Sequence, residues 1–411
     1  MSPEGSLAPA PEAPFSRARL LRWQVSSGSF SVPQAAAPIA FALIALPLNG
    51  SAESGAALVF AMTAAQVAGS VPVSRAGIRF NAVHYLRLLI GVRTLALAVV
   101  TVLAAVGAPF WSLVVAVIVA GLVNGSAHGY QRTLLNHLVA PGRLPRALGV
   151  AATLNEVSFA LSPVLASVVG AVSPVWAMVG ITVLGAGPIL LLPSIPQARG
   201  LPPTEKRRSR TPLSGAVLLW LLCAGASGAA IAAIEVGAVS FALSFGLDPG
   251  WAFLFALALC IGSVAGGIWV SVRNRVPRPW KVVAFLTATS AGFGVVVADG
   301  TVASTLAGAG VVGFFLPMLG TFYSLTLDEL APPNRRAEMF AHLRTASALG
   351  VMGVSALLAV LGLHAALFSS LGLLLVATAL ATVHACVRPA RSRRTGRMRQ
   401  QVRTTECESP H

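Results

Sequence analysis

Charged residues are what this sequence has least of, at 10% of its 411 positions. Acidic side chains number 13 against 29 basic ones, and only two of the basic ones are Lys. Set beside 55% hydrophobic residues and a mean hydropathy of +0.78, that scarcity excludes an ordinary soluble domain, in which about a quarter of residues are charged. The four cysteines (Cys223, Cys260, Cys386 and Cys407) contain no CxxC pair, so neither a disulfide framework nor a cysteine metal site is supported. There is no Gly-x-x-x-x-Gly-Lys phosphate loop and no polar stretch long enough for an ATPase domain. Nucleotide-driven pumping by this chain alone is therefore excluded. No Ser/His or His/Cys/Asp grouping of catalytic type is present, which argues against an intramembrane enzyme. No filter-like ring of the kind a channel needs is evident either. No cofactor is called for.

What the sequence does have is apolar stretches of about 20 residues, the length an α-helix needs to cross about 30 Å of hydrocarbon. Basic residues fall in every second gap between them, the mark of inward-facing loops. Arg17, Arg19 and Arg22 precede a first span near Ser29–Leu48, and the next gap holds Glu53 and no basic residue. Span two ends at Arg75, Arg79 and Arg87, span four at Arg132, Arg143 and Arg146, and span eight at Arg273, Arg275, Arg278 and Lys281. Turns at Gly107–Phe110, Ser173–Pro174, Gly246–Gly250 and Gly362–His364 carry no Lys or Arg. The pattern predicts an all-α membrane protein of twelve transmembrane helices in two pseudo-symmetric six-helix bundles. Its expected divisions are an N-terminal cytoplasmic segment (1–28), a first bundle (29–193), a basic linker (194–212), a second bundle (213–387) and a basic tail (388–411). Both termini are expected in the cytoplasm.

The formal charge of +16 could suggest nucleic acid. It is spread over many short loops, however, which suits anionic lipid headgroups and not nucleic acid. Arg17–Leu48 has the basic flank and apolar core of a secretory leader, but no small-residue cleavage pattern followed by a soluble domain. It is expected to be an uncleaved first helix. The preference for Arg over Lys and the abundance of Ala point to a high-GC bacterium, hence to a bacterial inner membrane.

Two loops recur along the chain. Ala140-Pro141-Gly142-Arg143-Leu144-Pro145-Arg146 after span four is echoed by Ala331-Pro332-Pro333-Asn334-Arg335-Arg336 after span ten, 191 residues on (140 to 331). Ser74-Arg75-Ala76-Gly77-Ile78-Arg79 is echoed more weakly by Ser271-Val272-Arg273-Asn274-Arg275, 197 residues on (74 to 271). Parallel repeats about an axis along the membrane normal are one of the transporter architectures.

With these features the chain resembles the major facilitator superfamily over essentially all twelve spans. The loop after span two looks like that family's gating motif, Gly-x-Leu-Ala-Asp-Arg-x-Gly-Arg-Arg. Arg75, Gly77 and Arg79 match; Ser70 replaces the leading Gly and Ser74 the Asp, so the carboxylate lock implied by the resemblance is altered. Ser162-Pro163 in span five sits where drug-efflux members carry Gly-Pro. Aligned on Gly125, the family's span-four motif puts Gly121 where the family has a membrane Arg and Asn124 where it has Gln. The resemblance implies secondary transport, with a leaning toward export.

A charge at bilayer depth costs at least about 2.5–3.5 kcal/mol, so one retained there is a functional candidate. Glu156 is expected near the midplane, about 15 Å from the cytoplasmic end of span five at 1.5 Å per residue. There it could load and release a proton, or simply hydrogen-bond a neighbouring helix. Glu235, in the outer third of span seven, is grouped with Glu156 as a proton-coupling candidate, and is there either an outer-vestibule cation attractor or a solvated helix end. Arg93 either snorkels to the cytoplasm or partners a cavity carboxylate in place of the missing span-four Arg. His128 and Gln131 are expected at the inner end of span four, where a His is more often interfacial than titrating. Gln66, Asn124 and Asn155 fall near mid-depth, where they line a cavity or bind helices together. Phe314 and Tyr323, from the aromatic stretch of span ten, are candidates for substrate contact. Asp328 and Glu329 face the basic loops as part of a gate with Ser74, Arg75, Gly77 and Arg79.

The function these residues fit is secondary active transport by alternating access, as proton-coupled export of a small amphiphilic or drug-like molecule. Proton-symport uptake of a metabolite, and a non-transporting sensor or scaffold on the same fold, are the alternatives. The partners expected are that small molecule, protons and anionic lipids, with the protein monomeric.

Overall fold

A computed structural model describes residues 17–139, 144–193, 214–273, 279–298, 300–330 and 336–407. Among these residues there is no strand. In hydrocarbon only helices satisfy the backbone within one segment, and the chain obeys that constraint. The first half runs α1 (Arg17–Asn49), α2 (Ser54–Ala76), α3 (Ala82–Ala105), α4 (Phe110–Leu138), α5 (Leu144–Val172), α6 (Pro174–Ala186) and α7 (Pro188–Leu191). The second runs α8 (Gly215–Val236), α9 (Ala238–Ser244), α10 (Phe253–Arg273), α11 (Pro279–Val297), α12 (Val302–Leu330), α13 (Arg336–Leu361) and α14 (Leu363–Cys407). Among the described residues eleven rods are long and apolar enough to cross a membrane, and Val157–Val172 of α5 adds a shorter apolar segment. Two rods are interrupted by glycine: α6 continues past Gly187 as α7, and α8 past Gly237 as α9. The expected spans six and seven are thus each two helices. Their backbone bonding still carries across the break, since Gly237 N–H reaches Ala233 O at 3.2 Å and Phe241 N–H reaches Gly237 O at 2.8 Å.

The two halves pack alike. In the first, α1 lies on α5, α2 on α4, α3 on α4 and α1 on α6; in the second, α8 lies on α13, α10 on α12, α11 on α12 and α8 on α14. The turns repeat too. Gly50 and Gly246, 196 positions apart, both take φ of 70° and end the first rod of their half. That left-handed conformation costs glycine nothing and lets the chain close a helix. After Gly246, the Leu247 N–H turns back to Ala242 O at 2.8 Å, and Ala108 N–H does the same to Leu103 O at 2.9 Å behind Gly107.

Two faces result. One carries the exposed Arg17, Arg19, Arg22, Arg75 and Arg79; the opposite face carries the four positive-φ glycine turns. Between them runs a belt of exposed large apolar side chains, among them Leu95, Val102, Ile268 and Phe368, which is the surface a bilayer solvates. The structure begins α1 at Arg17, twelve positions before the expected start of the first span. This extension is anchored: Trp23 is buried and its Nε1 donates to Gln131 O at 3.1 Å. On the same face Arg22 and Arg87 donate to Leu190 O and Leu192 O at 3.1 and 2.8 Å, satisfying carbonyls left open where α7 ends.

Candidate functional site: a cavity between the two bundles

The halves enclose a cavity of about 600 Å³, within the range of small-molecule sites. Its walls come from α1, α2 and α5 on one side and α8, α12 and α13 on the other. Most of the lining is apolar, including Pro38, Met62, Phe159, Ile231 and Leu316. Gln34, Thr63, Ser227, Tyr323, Ser324 and Ser347 add uncharged polar groups, and Glu235 and Arg344 are the charged side chains. The close packing of α8 on α13, in which a Cβ on Gly225 would meet the Ala346 carbonyl at 3.2 Å, sets the levels of these two charges. Arg344 lies near the level of Gly225, and Glu235 ten residues farther along α8, about 15 Å at 1.5 Å per residue. Arg344 therefore marks the end of the cavity toward the arginine-rich face, and the Glu235 carboxyl the end toward the glycine-turn face.

Tyr323 belongs to the wall, its hydroxyl 3.2 Å from Ser227 Oγ. Behind it the buried Trp220 meets Phe322 edge-on at 4.8 Å and Tyr323 at 6.3 Å between ring centroids. Phe314 sits elsewhere, against Phe315 at 5.1 Å and Trp269 at 6.3 Å, on the α10–α12 seam.

The first half contains a polar network directly behind the cavity wall. Arg93 does not snorkel: only 3% of it is exposed. Its Nη1 donates to Phe30 O at 3.1 Å and Asn124 Oδ1 at 3.0 Å, and its Nη2 donates to Gly185 O at 2.8 Å. The guanidinium also lies 4.2 Å from the centroid of the Phe30 ring, a cation–π contact strengthened by desolvation. His128 packs edge-on against Phe30, with 4.7 Å between ring centroids. Asn124 Nδ2 in turn donates to Gln34 Oε1 at 2.6 Å and to Gln66 Oε1 at 3.0 Å. Arg93, Asn124 and Gln66 thus converge from α3, α4 and α2. Gln34, which joins them to the cavity, had no distinguishing signal in the sequence beyond being a polar residue in an apolar span.

Gly121 packs against α2 so closely that a Cβ there would overlap the Met62 carbonyl oxygen. An arginine at that position has no room, and the buried guanidinium of this chain comes from α3 instead. Asn155 accepts from Ser31 Oγ at 2.6 Å and ties α5 to α1. Ser162 and Pro163 are buried in the same helix. The side chains of Glu156, Asp328 and Glu329 lie outside the described residues.

In the last turn of α2, Ser74 Oγ bonds Ser126 Oγ at 3.0 Å and donates to Ser70 O at 2.6 Å. Tyr130 Oη donates to Ser74 O at 3.1 Å and Tyr85 Oη to Val73 O at 2.6 Å. Gly77 lies between these two tyrosine rings, where any Cβ would clash. Arg75 and Arg79 are exposed beside it. Across the halves, Cys260 Sγ lies 3.6 Å from Phe159 O at mid-length.

The structure is similar to solved transporters at low sequence identity. A variant of the nucleoside transporter NupG aligns with a TM-score of 0.69 and 10% identity, over 89% of this chain and 99% of that one. A D-xylose-proton symporter gives 0.68 and 12%, over 89% and 97%. A bacterial homologue of the iron transporter ferroportin, in its inward-facing state, gives 0.64 and 16%, over 90% and 97%. No curated protein sequence matches the chain. The profile of the Major Facilitator Superfamily matches residues 25–355, and the chain, a multi-pass membrane protein with the fold of a secondary transporter, belongs to that superfamily.

Proposed function

We propose that the protein is a proton-coupled exporter of a small amphiphilic or drug-like molecule. The observation that carries this reading is the 600 Å³ cavity between the halves, mostly apolar and carrying a carboxylate, Glu235, at one end. An apolar wall with few polar groups suits a substrate whose binding rests on buried area. Sugar or phosphate recognition would call for a denser polar lining. Glu156 and Glu235 are the proposed proton-coupling groups: a proton on one biases the rocking equilibrium one way, and substrate biases it the other. The basic face is the proposed cytoplasmic side of a bacterial inner membrane. There the loop holding Ser74, Arg75, Gly77 and Arg79 acts as a gate, with a serine–serine bond where the family has a carboxylate.

The test is ethidium movement in inside-out membrane vesicles with an acidified lumen. Accumulation in the lumen that stops when nigericin collapses the gradient supports the reading, as does its loss in Glu156→Gln or Glu235→Gln. Accumulation indifferent to the gradient overturns proton coupling. Dye movement outward from the lumen, driven by the same gradient, identifies the uptake alternative, which the likeness to a D-xylose-proton symporter keeps in play.

A further inference from the structure

The wall formed by Gln34 has a hydrogen-bonding polarity set by a residue that never touches the cavity. Amide side chains can usually turn either way, exchanging oxygen for nitrogen, and only the surrounding network decides. Here the network starts from Arg93, whose guanidinium has five donors and no acceptor. Because Arg93 Nη1 approaches Asn124 at 3.0 Å, the atom it meets must be the carboxamide oxygen. The Asn124 nitrogen is then committed as donor, and its two hydrogens go to Gln34 at 2.6 Å and Gln66 at 3.0 Å. Both of those must present oxygen. Gln34 is left with its Nε2 pointing away from Asn124, and Gln34 lines the large cavity. That nitrogen donates to no group among the described residues, and it is not one of the buried polar atoms sealed without a partner. It is therefore the polar atom this wall shows to an occupant.

The geometry points to Gln34 as a substrate-contacting residue that acts as a donor only, with Asn124 and Arg93 as its positioning residues. The ligand it takes is an amphiphile bearing a hydrogen-bond acceptor without an acidic hydrogen: a ketone, ester, ether or amide carbonyl. This rests on the amphiphile cavity proposed above and adds the chemistry of its polar handle. An acceptor in the substrate gains a bond at Gln34, whereas a donor there would face N–H against N–H.

The experiment compares two probes of similar size on purified full-length protein in detergent: octanophenone, which offers a carbonyl acceptor, and 3-octylindole, which offers an N–H donor. The readout is the ratio of their Kd values, in which partition into the micelle cancels between variants. Wild type is expected to prefer octanophenone by roughly three- to tenfold, the worth of one hydrogen bond. In Gln34→Leu that preference should vanish while both probes still bind. In Asn124→Asp the carboxylate accepts from Arg93 but cannot donate, so Gln34 must turn its nitrogen inward and show oxygen to the cavity. The preference should then invert toward 3-octylindole. A positioning network that served only stability would not invert it. Equal binding of the two probes in wild type, or a preference that survives both substitutions, overturns the inference and leaves the exporter reading standing. Binding of neither probe overturns both.

Discussion

The Glu53 carboxylate accepts a hydrogen bond from the Leu363 backbone N–H at 3.2 Å, joining the α1–α2 turn to the α13–α14 turn across 310 residues of sequence. It links the two halves at the face opposite the arginine-rich one. On the same face, Gly250 abuts Ala171, where a Cβ would come within 2.8 Å. A transporter that opened toward this face by alternating access would have to break the Glu53–Leu363 bond in each cycle.

Removing the carboxylate should loosen that end. The bond is half-exposed, so its worth is about 1 kcal/mol, a roughly fivefold shift between closed and open forms. With the native cysteines replaced by Ser, spin labels at Asn49→Cys and Val360→Cys should gain a longer-distance population when Glu53→Ala is added. An unchanged distance distribution means the bond does not restrain the closed form.

Arg93 is expected to be structurally indispensable. Arg93→Met leaves the Phe30 and Gly185 carbonyls and Asn124 Oδ1 without their donor, at a cost of about 2 kcal/mol or more. Arg93→Lys should recover only part of this, because one ammonium cannot reproduce a planar fork that serves three acceptors and the Phe30 face. Thermal unfolding in detergent should rank the proteins wild type, Lys, Met. Equal melting of Lys and wild type would show that charge alone suffices.

Gly121→Ala and its counterpart in the second half, Gly313→Ala, should both destabilise. Each places a Cβ on a backbone carbonyl of the facing helix, Met62 in α2 and Leu259 in α10. The helices must separate, and a loss of about 1–3 kcal/mol is expected from such overpacking. Gly91→Ala, where nothing lies within 4 Å of the added Cβ, is the control and should leave the melting temperature unchanged or slightly raised. A similar loss in all three would point to helix flexibility, not close approach.

Tyr323→Phe removes the hydroxyl that meets Ser227 at 3.2 Å while keeping the ring that Trp220 packs against. Stability should change by less than about 1 kcal/mol. If Tyr323 serves the cavity, the KM for ethidium in the vesicle assay should rise a few-fold with the maximal rate little altered. A fall in rate alone would place the residue in the conformational step instead.

The rods, their number and their alternation of basic and non-basic ends could be read from the residues directly. Bilayer crossing demands local properties, namely apolar length and charge confined to the ends, and these survive without knowing any neighbour. The repeat was legible in the recurring basic loops, whereas the matching left-handed turns at Gly50 and Gly246 came only from the structure. Arg93 was different. Whether its side chain turned outward or inward depended on which surface α1, α4 and α6 presented to it, and no local pattern carries that. Nor could the residues alone reveal that Asn124 would stand between Arg93 and Gln34, because a hydrogen-bond network is a property of three helices at once. Even the span-four arginine that the resemblance led one to look for is absent for a tertiary reason, since α2 fills the space at Gly121. Composition thus decided that the chain lives in a membrane, and packing decided which few polar atoms it turns toward its cavity.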